Sequence, residues 1–173
     1  MTTFASAMSG PYVIRRAVTS DAGSLAALGA RTFEETFGPA NRREDIDTYL
    51  SQTYGEQQQK NEIENPRMIT LVTEDEGSLI AFAQMRADEK GIEIARFYVD
   101  SRWQGRGLAQ ALMQAVIEEA RARRAEMLWL GVWERNERAI AFYRKCGFRD
   151  TGTQPFILGS DLQTDRVMVH ELA

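Results

Sequence analysis

Apolar and polar positions along the chain form patterns that predict strands and helices in alternation. Residues 12–18 are typical of a first strand, and Ser20 and Asp21 are helix-capping candidates ahead of apolar positions at helical spacing. Residues 33–66 are polar, with apolar residues again at helical spacing, so two short helices are expected there. The chain therefore opens with a strand that is followed by helices.

The middle of the chain predicts a hairpin and then a strand–helix–strand crossover. The runs MITLVTE and SLIAFAQMR are typical of strands, and the residues from Asp75 to Ser78 between them suit a tight turn. A third run, residues 92–99, leads through a glycine-containing segment into apolar positions spaced as in a helix. The wholly apolar run MLWLGVW follows and is typical of a strand covered on both faces, so a right-handed crossover should make it the parallel neighbour of residues 92–99.

The end of the chain predicts one more helix and two strands. The helix should span residues 136–146, because Asn136 is an N-cap candidate and Gly147 stands where a left-handed residue closes a helix. Strands are expected over residues 148–158 and 166–172.

These elements predict a fold of the α/β (α+β) class. We expect residues 1–10 to be a flexible tail and residues 11–173 to form a single domain. Its core should be a mixed, mostly antiparallel sheet of about six to seven strands, with a parallel pair at its centre and helices on both faces.

The composition argues against several kinds of protein. Cys146 and His170 are the only residues of their types, so we expect neither a disulfide framework nor a metal site, and a reducing, cytoplasmic location fits best. No signal peptide and no apolar stretch of about twenty residues are found, so no membrane contact is expected. A net charge of −4 argues against nucleic acid as a partner.

The mean charge conceals an asymmetry between two parts of the chain. Residues 34–75 contain ten acids and four bases, whereas residues 101–149 contain ten bases and five acids. The first part would attract a cation and the second an anion. The alternative is that both charge runs belong to solvated helix faces.

The segment RWQGRGLA, which spans residues 102–109, is the strongest local motif. Its two glycines lie between a predicted strand and a predicted helix, where successive backbone N–H groups can close around a phosphate. A plain tight turn is the alternative. The sequence lacks the Gly-Lys-Ser/Thr of a Walker loop, and Gln110 stands where a dinucleotide fingerprint needs its third small residue.

The loop and the late helix together resemble the GNAT superfamily of acetyl-coenzyme A-dependent acyltransferases. The loop matches the pattern Q/R-x-x-G-x-G/A, and the helix matches N-x-x-A-x-x-F/L-Y-x-K/R-x-G-F. The matching residues are Arg102, Gly105 and Gly107 in the loop and Asn136, Ala139, Phe142, Tyr143, Lys145, Gly147 and Phe148 in the helix. The resemblance implies a GNAT-like fold in which the central parallel strands splay apart.

The resemblance also implies acetyl-coenzyme A as co-substrate, bound between the two parallel strands. The loop amides would hold its pyrophosphate, and the end of the third strand would pair with its pantetheine arm as with another peptide. The residues implied in coenzyme binding are Phe97, Tyr98, Val99, Arg102, Gln104, Gly105, Arg106, Gly107, Leu108, Ala109, Asn136, Tyr143 and Lys145.

The implied reaction is direct attack of a neutral amine on the thioester, in which Tyr143 donates to the departing sulfur. A packed aromatic residue without a chemical role is the alternative for Tyr143. A base would help, because an amine of pKa near 10 is only about one part in a thousand neutral at pH 7. Glu93 and Glu134 are the candidates, and an ordinary exposed carboxylate is the alternative for each.

The acceptor is suggested by a second resemblance, to the PaiA-type polyamine acetyltransferases. It rests on the blocks TFEETFGPAN, REDIDTYL, LWLGVWERN and FILGSDLQTDRVM. It implies spermidine or spermine, with Glu34, Glu35 and Asp45 as candidate acceptor-binding residues. The chain departs from that family at Gln154 and Pro155, where a histidine is usual.

Two alternatives stay open at this point. One is acetylation of a protein N-terminus or of another small amine, and the other is a regulatory module that binds acyl-coenzyme A without turnover. The sequence leaves open whether the chain forms a homodimer.

Overall fold

The computed structural model describes residues 7, 8 and 11–172. None of the described helices combines the length and the apolar composition needed to span a bilayer. The strands are β1 (Ala7–Met8), β2 (Val13–Arg16), β3 (Met68–Asp75), β4 (Ser78–Asp88), β5 (Gly91–Val99), β6 (Met127–Trp133), β7 (Arg149–Leu158) and β8 (Asp161–Glu171). The α-helices are α1 (Ala22–Phe37), α2 (Arg43–Thr53), α3 (Glu56–Glu64), α4 (Leu108–Ala122) and α5 (Glu137–Lys145).

All described strands belong to one sheet in the order β1-β2-β3-β4-β5-β6-β8-β7. The neighbours β5 and β6 are parallel, and every other neighbouring pair is antiparallel. The predicted fold class is therefore confirmed, with seven longer strands and the two-residue β1. The predicted hairpin is β3–β4, whose turn residues Glu76 and Gly77 have positive φ angles of 47° and 81°. Such a turn matches the twist of the strands that it joins.

Strands β5 and β6 pair only at their beginnings. Ile92 lies opposite Leu128 and Glu93 lies opposite Trp129, and the two strands diverge beyond that point. On its other side β5 stays paired with β4, but Gln84 pairs with Arg96 and Met85 with Ile94. Ala95 is thus an extra residue, and a β-bulge bends the strand that carries it. The bulge begins where β5 leaves β6.

Two layers of helices cover the sheet. On one face α4 and α5 pack against apolar residues of the central strands, and Leu112 of α4 and Leu128 of β6 are fully buried there. On the other face α1 and α2 bury Phe33 and Ile46 against Phe82 and its neighbours. Burying apolar area on both faces explains why the central strands are apolar along their length.

Some predicted boundaries differ from the structure. Strand β8 begins at Asp161, whereas the sequence predicted its start at Arg166, because residues 161–165, which are polar except for Leu162, pair with β7 across a short hairpin. Ala7–Met8, within the predicted flexible tail, pair with Val13 and Ile14. Residues 1–6, 9 and 10 of that tail lie outside the described residues.

Substitution of Leu112 should test the packing of α4 against the sheet. Leu112 is fully buried, so Leu112→Ala should lower the free energy of unfolding by about 2–5 kcal/mol, measured by urea denaturation. Gln114→Ala on the exposed side of the same helix should change it by less than about 0.5 kcal/mol. Equal effects of the two substitutions would contradict this packing.

Candidate active site

A cavity of about 840 Å³ opens where β5 and β6 diverge. The ends of both strands form its centre, residues of the loop before α4 and of α5 form one side, and α1 and α2 form the other. It passes through the gap in the sheet, so groups from both helical layers meet inside it. Two substrates can therefore approach one another from opposite faces.

The loop before α4 lines the cavity with Gln104, Gly105 and Gly107. Gly105 and Gly107 have φ angles of 77° and 82°, a left-handed conformation that favours glycine, and a Cβ on either would point into open space. Gly107 is the N-cap of α4, a helix of 15 residues. The first amides of a helix lack partners within it and carry the positive end of its dipole, so this loop suits a phosphate group.

Arginines flank this loop without lining the cavity. Arg102 donates from Nη2 to Oδ2 of the buried Asp100 at 3.0 Å, and Arg31 donates to the same oxygen at 2.6 Å. The arginines hold the pKa of the Asp100 carboxyl below its usual value, chiefly through the hydrogen bond from Arg102. Arg106 lies 5.1 Å from the centroid of the Trp103 ring. Both loop arginines border a smaller cavity of about 280 Å³ beside the loop.

Helix α5 carries Tyr143 to the gap between the strands. The helix begins after Asn136, whose Oδ1 accepts from the Ala139 amide at 3.2 Å, and Gly147, at φ 97°, lies just past its end. Tyr143 is buried, and its ring meets that of Phe97 at a centroid distance of 6.2 Å. Burial raises the pKa of its hydroxyl above the usual value, so the phenol is neutral and able to donate a hydrogen bond.

Most residues predicted to bind coenzyme line this cavity. They are Phe97, Tyr98, Val99, Gln104, Gly105, Gly107, Ala109, Asn136, Tyr143 and Lys145. Leu108 is instead fully buried in the core beneath the loop, so only its backbone can serve a ligand. Arg102 and Arg106 lie beside the loop, as described above.

The two predicted base candidates lie away from the cavity wall. Glu93 is opposite Trp129, at the end where β5 and β6 remain paired, and it accepts from Arg86 at 3.3 Å. Partial burial raises the pKa of its carboxyl. Glu134 is exposed just after β6, and its amide donates to the Thr164 carbonyl at 3.1 Å. The structure therefore does not bring either carboxylate to Tyr143.

The three predicted acceptor residues have different surroundings. Glu35 lines the cavity. Glu34 does not, and it is ion-paired with Arg43. Asp45 is buried and accepts from the Ser160 amide at 2.9 Å and from its hydroxyl at 2.8 Å, which lowers the pKa of the carboxyl. Asp45 thus ties α2 to the β7–β8 hairpin, and Glu35 alone of the three faces the cavity.

Asp165 and Arg96 are among the polar side chains of the cavity that the sequence interpretation missed. Asp165 of β8 is buried there, and it was placed outside the predicted last strand. Arg96 of β5 also lines the cavity and donates to Glu62 at 2.6 Å and to Gln84 at 2.5 Å. A signal for the first was Gly131 inside an apolar strand, because a glycine there marks close approach of another group.

The described residues contain no candidate set of metal ligands. Across residues 7, 8 and 11–172, no three His, Cys, Asp or Glu side chains come together in a way that could hold a metal ion.

The sequence model of the acetyltransferase (GNAT) family matches residues 32–148. The chain therefore belongs to this family, and it is an N-acetyltransferase that takes its acetyl group from acetyl-coenzyme A. The open, glycine-lined helix start described above fits the pyrophosphate of that co-substrate.

Relatives agree with this assignment, and a solved structure shares the fold. An uncharacterized N-acetyltransferase of Mycobacterium tuberculosis is 35% identical over 154 residues, covering 88% of this chain and 99% of the relative. The spermine/spermidine N(1)-acetyltransferase of Bacillus subtilis is 31% identical over 106 residues, covering 56% of this chain and 66% of that enzyme. The structure of the PaiA N-acetyltransferase of Thermoplasma acidophilum with coenzyme A has a TM-score of 0.82 at 20% identity, covering 92% of this chain and 98% of that one.

Substitution of Gly107 should test the loop as the coenzyme site. Acetyl-coenzyme A should raise the Tm of the wild-type protein, because it binds the folded state. Gly107→Glu should abolish that shift, since it strains a left-handed position and adds a negative charge where the pyrophosphate would lie. The measurement is thermal denaturation with and without the ligand.

The matched control places the same charge further along α4. Gln114→Glu lies about two turns from the loop on an exposed position, and it should keep the full shift. A folded Gly107→Glu protein with an undiminished shift would remove the loop from the coenzyme site.

Proposed function

We propose that this enzyme acetylates a small amine that carries several positive charges, a polyamine such as spermidine or spermine. The observation that carries the proposal is the cavity that crosses the sheet. Its loop side would hold acetyl-coenzyme A, with the cavity-lining residues named above as contacts. Its α1–α2 side would receive the amine, so that the amine nitrogen meets the thioester in the gap between β5 and β6.

The chain's own groups suit attack on a thioester. Beyond Glu93 the edge of β5 that faces β6 has no strand partner among the described residues. Backbone amides near Tyr98 and Val99 can therefore hold the pantetheine arm and the developing oxyanion. Tyr143 would donate a hydrogen bond to the departing sulfur. A phenol is a weaker acid than a thiol by about 1.5 pKa units, so full proton transfer would cost about 2 kcal/mol. Burial raises that cost, and hydrogen bonding is therefore its principal contribution.

Three observations support a polyamine as acceptor. The matching segment of the Bacillus subtilis relative belongs to an enzyme named for spermine and spermidine. The α1–α2 side of the cavity is lined by aromatic rings, among them Phe37, Tyr49, Trp133 and Phe156, which attract cations and cover alkyl chains. Its two carboxylates, Glu35 and Asp165, add negative charge.

In the structure, fewer acids of residues 34–75 are available to a cation than the sequence suggested. Several acids of residues 34–75 are ion-paired, including Glu34 with Arg43 and Glu62 with Arg96. The attraction for a cation therefore rests on Glu35 and Asp165 more than on the net charge of the segment.

Tyr143→Phe should lower kcat at least about tenfold while leaving the Kd for acetyl-coenzyme A nearly unchanged. The hydroxyl would act on the sulfur mainly in the transition state, so its loss should appear in turnover. Tyr12→Phe, a change in a buried tyrosine outside the cavity, is the matched control. The measurements are thiol release and calorimetric binding. Wild-type kcat in the Tyr143 variant would exclude it from the mechanism.

Glu35→Lys should raise the KM for spermidine about threefold to tenfold, because it replaces an attraction with a repulsion at an exposed position. The wild-type KM for spermidine should also rise with ionic strength more than that for a monoamine, since salt screens charges over about 10 Å at 0.1 M. Glu44→Lys, at an exposed position outside the cavity, is the control and should leave the KM for spermidine and the KM for the monoamine unchanged.

A panel of acceptors that contains spermidine, a simple monoamine and N-terminal peptides decides between this proposal and its alternatives. Turnover of N-terminal peptides in preference to spermidine, or equal turnover of spermidine and a simple monoamine, would make the polyamine assignment wrong. The N-acetyltransferase assignment would stand in either case.

A further inference from the structure

The side-chain carboxylate of Asp165 is buried at the gap in the sheet. It lies on β8 opposite Trp133 of β6 and opposite Gln154 of β7. Side chains of directly opposite residues share one face of a sheet, and Trp133 packs in the layer of α1 and α2. Asp165 therefore faces the α1–α2 side of the cavity, whereas Tyr143 belongs to the opposite layer.

The missing side chain of Gly131 makes this position possible. A Cβ on Gly131 would lie 3.0 Å from Oδ2 of Asp165 and would overlap Nε2 of Gln154. Gly131 belongs to the part of β6 that has separated from β5, and it lines the cavity. The carboxylate thus lies over the strand at the opening through which the two substrates would meet.

The surroundings of Asp165 differ from those of the other buried aspartates. Asp100 accepts from two arginines, and Asp45 accepts from both groups of Ser160. For Asp165 the hydrogen-bond donor is the neutral side chain of Gln154. Burial raises the pKa of the Asp165 carboxyl to about 6, although the hydrogen bond from Gln154 opposes the shift. No cation among the described residues pairs with this carboxylate at the cavity wall, so it is suited to a cationic ligand.

Other titratable groups in the cavity do not offer the same chemistry. Tyr49, Tyr98 and Tyr143 have hydroxyl pKa values raised by burial and stay neutral. Arg96 is paired with Glu62. Glu35 is exposed at the wall, and Arg138 and Lys145 of α5 are exposed cations. Asp165 is thus the buried carboxylate among the described residues that line the cavity.

We propose that Asp165 pairs with the ammonium group of the acceptor and takes a proton from it before the amine attacks. This rests on the proposed function. One proton moves from the ammonium nitrogen to the carboxylate and then leaves to solvent. The nitrogen lone pair forms the bond to the thioester carbon, the carbon–sulfur bond breaks, and the second proton lost by nitrogen ends on the thiolate. The products are the amide, the free thiol and one proton released.

The test is the pH dependence of kcat/KM by thiol release, using whichever panel amine the wild-type enzyme turns over fastest. With Asp165 as base the substrate binds as ammonium, so kcat/KM should rise to a plateau above pH about 6. The Asp165→Asn variant lacks this base, so it can use only the small fraction of amine that is already neutral in solution. Its kcat/KM should fall about 100-fold to 1000-fold at pH 7 and climb about tenfold per pH unit toward the amine pKa.

Two further variants make the result decisive. Asp161→Asn, the same change at an exposed position of β8 outside the cavity, should keep the wild-type profile. Gln154→Leu removes the donor that stabilises the carboxylate, so the lower inflection should move to higher pH while activity recovers above it. A retained Tm shift with acetyl-coenzyme A shows that a variant is folded. If Asp165→Asn does not fold, the shift of the inflection in Gln154→Leu tests the proposal by itself.

The outcomes separate the two proposals. A wild-type profile in Asp165→Asn, an unmoved inflection in Gln154→Leu, or a wild-type kcat/KM without a plateau would overturn the role of Asp165 and leave the acetyltransferase intact. If the wild-type enzyme turns over no amine, the proposed function fails and the role of Asp165 fails with it.

Discussion

The separation of β5 from β6 is the constraint on which the rest of the structure depends. The two strands pair at Ile92 and Glu93 and then part, while β5 keeps its bonds to β4 across the bulge at Ala95. An intact parallel pair would bury its backbone groups in mutual hydrogen bonds. The gap instead leaves those groups for a ligand, and it joins the two faces of the sheet in one cavity.

Each helical layer contributes a different kind of chemistry to this gap. The layer of α4 and α5 offers the amides of a helix start and the hydroxyl of Tyr143. The layer of α1 and α2 offers aromatic rings and, with β8, the carboxylate of Asp165. The helix-start amides that suit an anion and the carboxylate that we propose for a cation thus lie on opposite faces, so neither neutralises the other before substrates arrive.

Local sequence signals predicted the side of the site that depends on local structure. The left-handed glycines of the loop, the cap at Asn136 and the closing Gly147 each follow from backbone geometry within a few residues. The opposite side depends on pairing between distant segments. No local pattern indicates that β5 and β6 separate beyond Glu93, and only the family resemblance implied that the pair opens at residues 97–99. Asp165 was missed because its strand pairs through polar residues that resemble a loop.

The buried aspartates show how the chain distinguishes structural carboxylates from the one we assign to chemistry. An unpaired buried carboxylate costs stability, and a protein usually supplies a cation or several N–H donors to offset that cost. Asp100 and Asp45 receive such partners, which lower their pKa values. Asp165 receives Gln154, a neutral donor, and its pKa moves the other way. Between the usual pKa of an aspartate and about 6, the folded state binds this proton more tightly than the unfolded state, so raising the pH through that window removes stability. A positively charged acceptor would supply the cation that Asp165 lacks among the described residues. Its binding would therefore raise the free energy of unfolding and offset the cost of burying this carboxylate.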